Sequence, residues 1–227
     1  VNIAFLTRMT RGTPWVRMKT AVTLDGRTAF PDGRSQWITG EAARADVQFW
    51  RGRAGAVLTG IGTVLADDPQ MNVRLPDQER QPLRFVIDPR METPPAGKLL
   101  TSKGGKVFIA AAAEYPTRRA ALEAAGAEVW VLPDAAVPGR VDLRELMREL
   151  AKREVNEVHV EAGPRLSGAL FAAGLIDEML FYYAPCLFGA GMGPAAVPLP
   201  AEPGAAYRWR LQSLDQIGGD FRVLLRR

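Results

Sequence analysis

The stretch from Val158 to Leu170 carries residue types that could hold and polarise an anionic ligand. It reads as a buried strand that stops at Gly163-Pro164 and feeds directly into a helix. Glycine lets the chain turn and approach a ligand closely. Proline suits the first helical position, where its missing N–H costs nothing. Leu166, Ala169, Leu170 and Ala173 fall at helical spacing on one face, and Gly174 is a natural stop. The first N–H groups of such a helix are free and its dipole adds partial positive charge, which makes a place for a phosphate. Glu161, at the end of the strand, would set a carboxylate beside it. An ordinary strand–turn–helix of an α/β domain accounts for the same stretch, and these residues alone slightly favour that plainer account.

Other candidates are scattered. Lys19 stands amid Met18, Ala21 and Val22, so it either snorkels to the surface or faces a cleft; taken alone, the surface is favoured. Gly60, Gly62 and Thr63 precede a short helical turn, a second phosphate-friendly start. They do not form the longer dinucleotide fingerprint, and a lone Gly-x-Gly is a weak signal. Arg51 flanks the apolar stripe of Ala43, Val47, Trp50 and Ala54, where a cleft could open; a solvated arginine is equally common. Arg74 lies in a polar loop over 70–79.

The elements that must position these residues follow from periodicity and turn chemistry. Strands are predicted over 15–24, 27–30, 56–60, 83–88, 106–111, 128–132, 158–161, 179–185, 207–214 and 221–225. Helices are predicted from Thr39 as N-cap to about Arg53, over 115–125, from the Asp142 cap, and from Pro164. Residues 1–14 read as a linker, and 89–105 as a long loop. Alternating strands and helices imply a largely parallel sheet with helices on both faces, closed by an antiparallel edge around Gly218-Gly219.

Composition bounds the function. The 29 basic and 25 acidic residues leave a net charge of +4, too scattered for a nucleic-acid face but compatible with a small phosphorylated ligand. The lone Cys186, flanked by apolar residues, reads as a core thiol, and the lone His159 sits inside a strand. With only these two, neither a disulfide nor a zinc site of usual type is expected, and a cytoplasmic setting is. No apolar run is long enough for a membrane span. The chain begins at Val1, not Met, so a trimmed chain or a piece of a longer polypeptide is expected.

Lys19 to Ala29, Ser35 to Thr39, Leu58 to Pro69 and Glu161 to Pro164 match one pattern, in order and at the expected spacings. The chain resembles the reductase domain of the bifunctional riboflavin-biosynthesis deaminase–reductases from Trp15 onward. The combination is specific, although each piece alone is not. The resemblance implies a dihydrofolate-reductase-like three-layer α/β fold over 15–227, preceded at 1–14 by the linker from a zinc deaminase domain. It implies NADPH as cofactor and no metal. It also implies reduction of the phosphoribosyl group of 5-amino-6-(5-phosphoribosylamino)uracil to a ribityl chain, by hydride transfer to C1′.

Residue by residue, the resemblance assigns substrate contacts to Ser35, Arg51, Met71, Arg74 and Glu161. Arginine suits the phosphate because its planar fork donates paired hydrogen bonds. Cofactor contacts fall on Ala21, Trp37, Thr63, Asp67 and Pro89, and on Gly163, Pro164, Arg165, Leu166, Ser167, Gly168 and Ala169. Arg165 is the candidate for the 2′-phosphate. Ala21 fits a flat nicotinamide ring that a larger side chain would crowd. Lys19 and Glu161 are the candidate catalytic pair, Lys19 supplying or relaying the proton. Asp25 is expected to stabilise a turn. Self-association is usual in the family. The rival readings are a reductase of the undeaminated diamino-pyrimidinone, a pterin reductase, for which Arg51 and Arg74 would have no phosphate, and a non-catalytic nucleotide-binding domain.

Overall fold

Short β-branched and aromatic runs become strands here, and the segments between them become helices closed by caps. In the computed structural model, residues 2–76 and 78–227 are described. The first residue of the 1–14 segment and one residue of the 70–79 loop lie outside the described residues. The chain falls into two units that each use two stretches. One runs up to Trp15 and resumes over Gln48–His159; the other comprises Val16–Val47 and Val160–Arg227. The single domain expected over 15–227 is thus built as two interleaved parts, each closed by strands distant in sequence.

The first unit holds β2 (Ala56–Gly60), β3 (Leu83–Ile87), β4 (Val107–Ala111), β5 (Glu128–Val131) and β6 (Glu157–Val160), in the order β5-β4-β3-β2-β6. The pairs β2·β3, β3·β4 and β4·β5 are parallel. Parallel strands need crossovers, supplied by α3 (Ile61–Asp67), the one-turn α4 (Lys98–Thr101), α5 (Pro116–Ala124) and α6 (Leu143–Lys152). Side chains alternate in register. Val57, Val86, Ile109 and Val129 join the buried cluster on one face with Met91, Leu99 and Leu122. On the other, Phe85 stacks on Phe108 at 4.5 Å, with Trp130 edge-on to both. Asp142 caps α6 as expected, its carboxylate accepting the N–H groups of Arg144 and Glu145.

The second unit holds β1 (Trp15–Thr23), β7 (Glu178–Ala184), β8 (Arg210–Ile217) and β9 (Asp220–Arg226), in the order β1-β7-β9-β8. β1 and β7 are parallel; β9 and β8 form the antiparallel edge. The helix α7 (Pro164–Ala172) belongs to this unit, whereas α2 (Glu41–Arg53) supplies residues to both. The fold is α/β, mostly parallel with an antiparallel edge, as expected.

Three local expectations are corrected. The segment read as a linker over 1–14 contains a helix, α1 (Ile3–Arg11): Asn2 accepts the Phe5 N–H, Gly12 ends it at φ 69°, and Ala4 and Thr7 are buried one turn apart. Basic residues on its other faces hid that periodicity. No strand forms over 27–30, where only Ala29 bridges to Met192. Two turns in succession, Thr23–Arg27 and Phe30–Arg34, consume the backbone hydrogen bonds a strand would need. The long loop over 89–105 contains α4. No helix among the described residues is long and apolar enough to cross a membrane.

Candidate functional site

In the second unit the β1 side chains alternate, so Arg17, Lys19 and Ala21 share a face. Register carries that face across the sheet. Ala21 pairs with Tyr182, Tyr182 with Arg222, and Arg222 with Asp215. Lys19 is half-buried, not on the open surface, and its ammonium lies 5.9 Å from the centre of the Tyr182 ring. The Tyr182 hydroxyl donates to Asp46 at 2.6 Å, and Arg222 donates to both Asp46 oxygens at 3.1 and 2.9 Å while reaching Asp215 at 2.8 Å. Burial pushes the Tyr182 phenol far above its ordinary value; its bond to Asp46, and the charges of Asp46 and Glu161, push the same way. Glu161, half-buried just beyond β6, therefore acts electrostatically on the same tyrosine that carries Lys19. Lys19 and Glu161 both act on Tyr182, Lys19 through its ring and Glu161 through its charge.

Gly163 is the N-cap of α7 and Pro164 its first residue, as expected. Gly163 has φ −70°, so the backbone does not demand glycine, and a Cβ there would meet nothing within 4 Å. The end of the helix is open, and no side chain caps it. Its free N–H groups and dipole fit a phosphate of a dinucleotide. The rest of the run divides. Arg165 is exposed and Leu166 and Ala169 half-buried, whereas Ser167 is buried and its hydroxyl donates to the Ala162 carbonyl at 3.2 Å. Gly168 lies under the 188–203 loop, where an added Cβ would come within 2.3 Å of the Ala196 carbonyl oxygen. Its lack of a side chain serves that close approach.

Trp37 fills no core. It is 72% exposed, with the Arg44 guanidinium 4.8 Å from its ring and held by the Thr39 carbonyl. Ser35 is half-buried nearby in sequence. Asp25 accepts hydrogen bonds from the Thr23 hydroxyl and from the Phe188 and Gly189 N–H groups, chiefly the first of which holds its carboxyl below the usual range. It stabilises the turn and pins the loop that leads to Ala196.

In the first unit Arg51 and Arg74 converge on one residue. Arg51 donates to the Asn72 carbonyl at 3.1 Å, and Arg74 donates to the Asn72 side-chain oxygen at 3.2 Å. Met71, just before, is buried in a left-handed backbone at φ 54°. Gln48 accepts the Arg74 N–H, and Gln81 clasps Val73 through both its N–H and carbonyl. The loop is thus fixed from α2 and from its own far end. Thr63 and Asp67 lie on α3, half-buried and exposed respectively. Pro89 follows Asp88, a fully buried carboxylate that accepts the N–H and hydroxyl of Thr93. No grouping of His, Cys, Asp and Glu among the described residues could hold a metal ion.

Sequence reasoning missed Tyr182, Asp46 and Arg222. The available signal was Asp46: it falls on the apolar side of α2, between Ala43 and Trp50, where a carboxylate needs a partner.

The features fit one class: an α/β protein with an open helix terminus suited to phosphate, a lysine over a buried tyrosine on a sheet face, and a loop that two arginines reach. A family model described as RibD C-terminal domain matches residues 14–223. The riboflavin biosynthesis protein RibD of Haemophilus influenzae is 37% identical over 240 residues, covering 98% of this chain and 61% of its own. A solved RibD structure from Acinetobacter baumannii superposes with a TM-score of 0.87 at 37% identity, covering 99% of this chain and 61% of that one. The deaminase/5-amino-6-(5-phosphoribosylamino)uracil reductase of Thermotoga maritima gives a TM-score of 0.80 at 26% identity, covering 98% and 59%. The chain belongs to the RibD C-terminal domain family. It spans about three-fifths of the length of these relatives.

Proposed function

We propose that this chain is the NADPH-dependent reductase of riboflavin biosynthesis that converts the phosphoribosyl group of 5-amino-6-(5-phosphoribosylamino)uracil to ribityl phosphate. The observation that carries the reading is the gathering of Lys19, Ala21 and Glu161 around Tyr182, in the unit that also presents the open end of α7. Family membership supplies the substrate class, and the name of the Thermotoga relative supplies the uracil. By the same route, a deaminase domain on the same polypeptide and a homo-oligomeric state are proposed.

NADPH, when bound, supplies the hydride. Gly163, Pro164, Arg165 and Leu166 at the helix start would hold its phosphates. Thr63, Asp67 and Pro89, in the first unit, are separately proposed as cofactor contacts. Ala21 leaves room for the nicotinamide, and exposed Trp37 offers a face for stacking. Ser167, Gly168 and Ala169 support that end of α7 from behind.

The residues of the chain then have defined tasks. Arg51 and Arg74, which both bond Asn72, hold the substrate phosphate through paired hydrogen bonds. Ser35, in the second unit, is separately proposed as a substrate contact. The Met71 backbone contributes a further contact. Lys19 hydrogen-bonds the sugar near C1′ and O4′. As C1′ gains the hydride and its bond to O4′ opens, the Lys19 ammonium delivers a proton to O4′. Glu161 orients Lys19 and the pyrimidine.

The test is NADPH consumption by the purified chain with the uracil substrate and, separately, the undeaminated diamino-pyrimidinone. Turnover at least tenfold more efficient on the uracil is expected (about 1.4 kcal/mol of discrimination). Preference for the diamino compound would assign the chain to the other order of steps, and no turnover of either would leave a nucleotide-binding domain.

A further inference from the structure

The sheet face beneath Lys19 contains a polar chain, running from a buried tyrosine outward, that the proposed chemistry does not yet use: Tyr182 to Asp46, Asp46 to Arg222, Arg222 to Asp215. These groups come from β7, α2, β9 and β8. Tyr182 is fully buried, whereas Asp215 carries the chain out to the edge hairpin. A tyrosine hydroxyl used as an acid would need a lowered phenol; here burial and two carboxylates act the other way. The hydroxyl is committed to Asp46, and Asp46 is clamped by two Arg222 hydrogen bonds. The part of Tyr182 left to face Lys19 is its ring.

We infer that Tyr182 is a positioning residue for Lys19, its ring locked by Asp46 and Arg222 so that the aromatic face holds the ammonium where Glu161 and the substrate meet it. The inference rests on the reductase reading above. An aromatic face attracts a cation through its quadrupole and so favours the ammonium over the free amine. The hydroxyl anchor fixes the ring, because a tyrosine bonded at its tip cannot rotate away without giving up its bond to Asp46 and leaving its own hydroxyl unpaired in a buried site. The charged groups facing Tyr182 are Asp46 from α2, Arg222 from β9 and Glu161 from the turn after β6. Asp46 and Arg222 are paired with each other, and on β1 itself Arg17 shares the Lys19 face, paired with Glu178 of β7.

The experiment compares the parent protein with Tyr182→Phe, Tyr182→Leu and a pentafluorophenylalanine replacement at the same position, each first checked for a cooperative thermal melt. Tyr182→Leu is expected to lower kcat about fivefold, the equivalent of ~1 kcal/mol, with the KM for both substrates nearly unchanged. Its alkaline kcat limb should move to lower pH by about 0.7 unit, because the charged lysine has lost its aromatic face. The fluorinated ring keeps the shape but reverses the charge of the face, so its limb should lie below that of Tyr182→Phe even if the leucine variant fails to fold. Equal limbs and equal kcat in the phenylalanine and fluorinated variants would overturn the inference. If the parent protein itself does not oxidise NADPH, the reductase reading has failed instead.

Discussion

Arg51 and Arg74 both bond Asn72, one its backbone carbonyl and the other its side-chain oxygen. The loop that carries Asn72 and Arg74 is clasped by Gln48 and Gln81. Arg51→Ala and Arg74→Ala are each expected to raise the substrate KM about tenfold or more while leaving kcat within about threefold, the signature of lost ground-state binding. Steady-state kinetics at saturating NADPH measures it. Unchanged KM values would remove the phosphate from this loop.

Lys19 is assigned the proton for the opening sugar ring. Lys19→Met keeps the length and the apolar stem but removes the charge. Single-turnover hydride transfer at saturating substrate should slow by about a hundredfold or more. An unchanged rate would leave water as the proton source.

Two glycines of the same segment should behave differently. At Gly168 an added Cβ meets the Ala196 backbone, so Gly168→Ala must displace the loop and should cost about 1–3 kcal/mol in denaturant unfolding. At Gly163 nothing stands in the way. Gly163→Leu should lose only about 1 kcal/mol of cap stability, yet weaken NADPH binding strongly, because its side chain enters the space in front of the helix N–H groups. Calorimetric titration with NADPH separates the two effects; equal NADPH affinity in Gly163→Leu and the parent would remove the cofactor from this end of α7.

Glu178 is completely buried between Arg17 and Arg226. Glu178→Gln removes the carboxylate that buried Arg17 and Arg226 share and should destabilise by about 3–5 kcal/mol. Equilibrium unfolding of the whole chain reports it, and a loss below about 1 kcal/mol would mean that the pair is not rigidly held.

Acid should weaken the first unit through Glu128. The Lys106 hydrogen bond, aided by the Trp130 N–H and the Arg153 charge, holds its carboxyl below the ordinary glutamate value. A depressed folded-state value means stability that is present above the unfolded value, near 4.3, and is lost as pH falls through the lower folded value. The thermal midpoint of the parent should therefore fall more steeply below about pH 4 than that of Glu128→Gln. Parallel curves would contradict this.

Much of this architecture was legible in the sequence because its signals are local. The Asp142 cap, the Gly163-Pro164 helix start, the Gly218-Gly219 hairpin and the buried run of β2 each declare themselves within a few residues. The N-terminal helix did not, because Ala4 and Thr7 are weak markers of a buried face among arginines. The convergence of Arg51 and Arg74 on Asn72 depends on a loop folding back over α2, which no spacing encodes. The Tyr182 chain is harder still: four residues from four elements meet only through sheet register. The resemblance to the family carried most of the site assignment, and the residues alone favoured plainer roles for Lys19 and Arg51.

The central claim is that hydride passes from NADPH to C1′ of the substrate on this chain. Incubation with NADPH deuterated at the transferred position, followed by mass spectrometry and NMR of the product, tests it directly. The account predicts a ribityl product carrying a single deuterium at C1′. A product without deuterium there, or no product from folded protein that binds both substrates, would contradict it.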